Sequence, residues 1–172
     1  MFAQSLLDQA TDLLARMRSA ELRLATAESC TGGLICGLLT EIAGSSDVVD
    51  RGFVTYSNDA KIELLGVPAA LIARVGAVSQ ETALAMAAGA VKYSRANLAV
   101  SVTGVAGPGG GSAEKPVGLV HLAVHHDSGQ TWHREQRYGD LGRHGIRTAT
   151  IGTALAMLAE AMTAVEAGLN RS

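Results

Sequence analysis

Two strand-length segments, Val117 to Val124 and Thr131 to Tyr138, are joined through the short turn Asp127-Ser128-Gly129-Gln130. So short a connection permits only an antiparallel pair, because parallel neighbours need a crossover of about a dozen residues or more. Upstream of this hairpin, strand-like and helix-like segments alternate, which favours a sheet covered by helices on both faces. The expected fold class is α/β: a three-layer α/β/α sandwich with a mixed, mainly parallel sheet containing an antiparallel hairpin. The hairpin disfavours the alternative, a purely parallel doubly wound sheet.

The segments themselves follow from periodicity. Phe2, Leu6, Ala10, Leu13 and Met17 recur at helical spacing. A short strand is expected over Leu22 to Ala27, and a helix from Leu34 to Ile42. Arg51 to Tyr56 reads as a second strand. Asn58 or Asp59 caps a short helix that Gly66 and Pro68 end. Ser79 caps a third helix with Leu84, Ala87, Ala88 and Val91 inward. Asn97 to Val102 has the continuous apolar character of a central strand. Ile151, Leu155, Leu158, Met162, Val165 and Leu169 mark a long closing helix. No internal repeat or dividing linker is present, so residues 1–172 are expected to form one domain.

Composition narrows the function classes. Apolar residues are 48% and charged residues 17% of the 172, which is a globular rather than a disordered balance. The formal net charge is −2, and no Lys/Arg cluster forms a nucleic-acid patch. One Trp, three Tyr and two Phe leave little surface for base stacking. No uninterrupted run of 18 apolar residues and no signal-peptide pattern occurs. Cys30 and Cys36 match neither a disulfide framework nor a zinc pattern. The expectation is a cytoplasmic protein with no membrane and no nucleic-acid partner. Apolar helices at both ends leave a homo-oligomer open.

Chemistry concentrates at Ala27-Glu28-Ser29-Cys30-Thr31-Gly32-Gly33, between a strand and a helix. Unpaired N–H groups at such a helix start suit an anion or a developing oxyanion, which brings Thr31, Gly32 and Gly33 into the candidate site. Ser29 and Cys30 are both candidate nucleophiles. Ser29 and Thr31 read equally as helix caps. A serine needs a base, and Lys61 can serve if burial lowers its pKa; as a helix lysine it can also be merely solvated. Tyr56 can orient the lysine or bond the reacting group. Cys30 would need a histidine, and none lies near it in the chain.

Thr103 to Ser112 is too glycine-rich for an ordinary connection, yet no Gly-Lys-Ser/Thr closes it as a phosphate loop. Its backbone suits a phosphate or ribose. Strand ends in an open α/β sheet are where ligands gather, and these three segments each follow a strand. His121, His125, His126 and His133 have no carboxylate or thiol pattern to complete a metal site. Arg143 and Arg147, four apart, suit a phosphate or a solvated face.

Taken together these stretches resemble the CinA C-terminal domain family, whose stand-alone members are nicotinamide-nucleotide amidases. The resemblance rests on Ala27 to Gly33, on Tyr56-Ser57-Asn58 with Lys61, and on Gly76-Ala77-Val78-Ser79. It continues through Ser101 to Gly111, Lys115-Pro116-Val117-Gly118, Gly139-Asp140, Arg143 and Ile146-Arg147. It implies hydrolysis of the carboxamide of nicotinamide mononucleotide, a small-molecule nucleotide substrate, without metal or cofactor. Ser29 would be the nucleophile, Lys61 its base and Tyr56 in support. Thr103, Gly104, Gly107 and Arg143 would contact substrate. Activities of the larger N-terminal domain of full-length members are not carried over.

Overall fold

The computed structural model describes residues 2–169. A five-stranded sheet in the order β2-β1-β3-β4-β5 forms the middle layer. Its strands are β1 (Leu24–Glu28), β2 (Val49–Val54), β3 (Leu98–Gly104), β4 (Leu119–His126) and β5 (Thr131–Arg137). β1 pairs in parallel with both β2 and β3, whereas β3–β4 and β4–β5 are antiparallel. Four strands thus run one way and β4 alone runs against them. The expected mixed α/β sheet with its hairpin is present, and β5 is the edge strand that its polar, charged sequence requires.

Alternation along the central strands assigns the two faces. Leu24, Leu98, Val100, Val102, Val120, Leu122 and Val124 join one core with α1 (Gln4–Ser19), α2 (Leu34–Glu41) and α6 (Gly142–Leu169). Ala25, Ala27 and Ala99 face α3 (Asn58–Leu65), α4 (Ala69–Val75) and α5 (Gln80–Lys92). Alanines on this second face let those helices lie close. By length and composition alone α6 could cross a bilayer, but half of its apolar window is buried inside this fold.

Several local details differ from the sequence reading. The cap of α3 is Ser57, whose hydroxyl accepts from Ala60 N–H, and not Asn58 or Asp59. Pro68 does more than stop α3, because it leads directly into α4, a seven-residue helix that periodicity did not indicate. On α5 the buried face is Ala83, Met86, Ala87 and Ala90, with Leu84, Ala88 and Val91 only partly covered. The small residues lie on the sheet side because α5 packs against β3 and β4. The closing helix begins at Gly142, nine residues before Ile151, so Arg143 and Arg147 lie in its first turns. Leu169 ends it, and its side chain lies outside the described residues.

Connections leave β1 towards β2 and leave β3 towards β4, so the chain diverges between the carboxyl ends of β1 and β3. That divergence opens a crevice where a ligand can sit.

Candidate active site

β1 ends at Glu28, and Ser29 follows with its N–H bonded to Val102 O at 3.0 Å. The next residues turn sharply. Gly32 and Gly33 have φ of 61° and 91°, a left-handed region that glycine enters without penalty. A Cβ at Gly33 would also meet Val54 Cγ2 at 3.3 Å.

The turn is held from behind by Glu28. Its fully buried carboxylate accepts from Gly33 N–H (3.1 Å), Ile35 N–H (3.0 Å), Cys36 N–H (2.8 Å) and Thr26 Oγ1–H (3.2 Å). A carboxylate at a helix start is stabilised by the unpaired amides and by the helix dipole. This corrects the expectation that Gly32 and Gly33 offer their amides to a ligand. Gly33 N–H goes to Glu28 and Gly32 N–H to Ser29 O. Thr31 is fully buried and its carbonyl accepts from Arg147 Nη2 at 2.8 Å. Thr31, Gly32 and Gly33 therefore lie behind the cavity and do not line it. Along residues 29–37, the N–H groups left without an acceptor among the described residues are those of Cys30 and Thr31.

Lys61 comes from one turn into α3 and is only 1% exposed. Its Nζ lies 3.0 Å from Ser29 Oγ, 2.8 Å from Thr55 O and 3.4 Å from Ser57 O. No carboxylate among the described residues reaches it as an ion-pair partner. Burial holds its ammonium pKa below the ordinary lysine value. Protonated, the nitrogen can donate to all three oxygens; deprotonated, it keeps two N–H groups for the carbonyls and has a lone pair for the Ser29 hydroxyl.

Cys30 is 6% exposed and burial pushes its thiol up to about 11. A thiol so held is protonated at neutral pH and is a poor nucleophile.

The cavity in front of Ser29 has a volume of about 310 Å³ and is walled by Cys30, Lys61, Thr103 and the loop from Gly104 to Gly110. Tyr56 is 61% exposed, and its hydroxyl accepts from Arg143 Nη2 at 3.1 Å. The expectation that Tyr56 orients Lys61 is thus replaced: the Thr55 and Ser57 carbonyls do so. Arg143 Nη1 donates to Gly107 O at 2.9 Å, so the guanidinium spans the cavity mouth from Tyr56 to the glycine loop. Thr103 lines the wall while its hydroxyl donates to Ala77 O at 2.7 Å, tying β3 to the segment before α5. Of the expected residues, Ser29, Lys61, Tyr56, Thr103, Gly104, Gly107 and Arg143 converge here. Asn58, Ala77 and Val78 also line the cavity and were not singled out individually. They stood inside quoted motifs, which was the available signal.

The histidines lie elsewhere. His121 Nδ1 and His133 Nε2 are 3.1 Å apart on the α5 side of the hairpin, and burial lowers both their pKa values. Among the described residues no three His, Cys, Asp or Glu side chains gather as metal ligands.

Comparison with known proteins gives a consistent result. The model of the CinA C-terminal domain matches residues 7–162. A solved competence/damage inducible protein from Agrobacterium tumefaciens is 58% identical, with a TM-score of 0.92 over 95% of this chain and 98% of that one. The competence damage-inducible protein A of Klebsiella pneumoniae is 32% identical, with a TM-score of 0.86 over 90% of this chain and 95% of that one. A CinA-like protein of Synechococcus is 51% identical across 87% of this chain but only 36% of its own length. The chain spans 25% to 37% of the curated relatives it matches. The family model over most of its length and the similarity of fold and sequence show that the chain belongs to the CinA C-terminal domain family.

Proposed function

We propose that this protein is an amidohydrolase that converts nicotinamide mononucleotide to nicotinate mononucleotide and ammonia. The observation that carries the proposal is the 3.0 Å contact between Ser29 Oγ and a buried lysine amine with no carboxylate partner. A solvated structural lysine does not need such a place, whereas a general base does.

In this reading Lys61 takes the Ser29 proton as the oxygen attacks the carboxamide carbon. The Cys30 N–H, left without a protein acceptor, faces the developing oxyanion. Lys61 then delivers its proton to the departing ammonia. Water, deprotonated by the same amine, releases the carboxylate product from the acyl-serine. Arg143 and the glycine loop supply donors for the 5′-phosphate, which favours a dianion over a neutral riboside. The scheme calls for no cofactor and no metal, and its partner is a small nucleotide. It suits a cytoplasmic setting.

The test is ammonia release from nicotinamide mononucleotide. Ser29→Ala should lose about 10³-fold or more in kcat with KM little changed. Cys30→Ala should stay within about fivefold of the parent, since its thiol is protonated. Loss in Cys30→Ala with retention in Ser29→Ala would transfer the role to the thiol. Efficiency on the riboside equal to that on the nucleotide would remove the phosphate from the scheme.

A further inference from the structure

A second recess of about 300 Å³ lies between the start of α1, the start of α2 and the first turns of α6. Its walls are apolar at Phe2, Leu6, Leu34 and Ile151, and among the described residues no acidic side chain lines it. Its polar lining is His144, Arg147 and Thr148.

Arg147 is one helical turn beyond Arg143, so the two arginines of α6 serve different hollows. Arg147 Nη2 donates to Thr31 O at 2.8 Å, and its buried Nε has no acceptor. Its Nη1 also makes no hydrogen bond among the described residues. Thr150, Thr153 and Thr163 each donate to the carbonyl four residues back; Thr148 does not. The Arg147 guanidinium and the Thr148 hydroxyl, each with unused donor capacity, thus both line one largely apolar hollow. Thr31 Oγ1, across the same seam, is likewise buried without a partner.

We propose that this recess is a binding site for a small carboxylate with a short apolar body, separate from the Ser29 cavity. The carboxylate would take N–H donors of Arg147 and the Thr148 hydroxyl, which is charge-assisted and bidentate in character. The apolar body would cover Leu6, Leu34 and Ile151. Because the same guanidinium holds the Thr31 carbonyl, occupancy reaches the turn that carries Ser29.

The probe is octanoate, followed by calorimetric titration and thermal unfolding, neither of which depends on the amidase reading. Octanoate should bind and raise the Tm of the parent, while octanamide and inorganic phosphate should not. Arg147→Met and Thr148→Val should each weaken octanoate binding by about tenfold or more, the effect of one charge-assisted hydrogen bond. Arg143→Met should leave it unchanged. If Arg147→Met fails to fold, Thr148→Val alone decides. No octanoate binding, equal binding of octanamide, unaltered binding in Thr148→Val, or loss in Arg143→Met would each overturn the proposal.

Discussion

In the proposed reaction Lys61 is the residue on which the chemistry turns, and its environment makes a sharp prediction. An ordinary lysine titrates at 10.5 and would be almost wholly protonated at neutral pH. Burial lowers that value, so activity should rise with pH through one ionisation below 10.5 and then level off. Lys61→Arg should lose about 10²-fold or more in kcat, because guanidinium keeps its proton in this range. Arg activity within a few-fold of the parent would show that only positive charge is needed. Ser29 and Lys61 were legible in the sequence because each lies within a few residues of a strand end. Glu28 was not, although it stands beside Ser29. Its role depends on three amides that point at it only after Gly33 adopts its left-handed turn, which no residue-type argument specifies.

At the scale of elements, close approach between α3 and α5 is the most demanding contact. A methyl at Gly89 would overlap the Leu65 carbonyl oxygen, which is backbone and cannot swing away. Gly89→Ala should therefore destabilise by about 2 kcal/mol, despite a helix-propensity gain of about 1 kcal/mol, because overpacking costs more. Chemical denaturation at 25 °C measures it; a stabilised variant would mean that α3 shifts freely. The hairpin, the buried β3 and the Ser79 cap are the kind of signal that local chemistry writes plainly, whereas the cap of α3 is Ser57, one residue before the expected Asn58 or Asp59. The α4 helix was missed because its seven residues are too few for a clear period. The inward face of α5 was read partly out of phase: Ala87 is buried as expected, but Ala83, Met86 and Ala90 take the places given to Leu84, Ala88 and Val91.

For the whole molecule, two buried charges impose opposite pH dependences. Lys61 has a depressed pKa, so below that value the fold carries the cost of a buried ammonium. As pH climbs from there towards 10.5 the unfolded chain alone keeps the proton, and stability rises. Lys61→Met should accordingly be more stable than the parent at neutral pH, with the gap shrinking as pH approaches the ordinary lysine range. Asp50 behaves inversely. Burial works to raise its carboxyl, but hydrogen bonds from Arg51 and Arg95 outweigh that and hold it below its ordinary 3.8. Its contribution is present above that value and is lost as pH falls below it. Asp50→Asn should cost about 2 kcal/mol at neutral pH and nothing in strong acid, read by denaturant titration. A gap that persists unchanged into acid would assign the loss to packing.

The sheet's change of direction at β3 has a consequence for how such a molecule can vary over generations. Ser29 and Lys61 hang from the ends of β1 and β2, a parallel pair locked in register from Ala25↔Arg51 to Glu28↔Val54. The glycine wall opposite them belongs to the link between β3 and the reversed β4. Reactivity and molecular taste therefore reside on different stretches of chain. Exchange at Gly109, where an added Cβ meets nothing within 4 Å, can reshape the cavity wall while the hydroxyl and amine keep their separation. A shear of one strand against its neighbour would instead pull Ser29 and Lys61 apart.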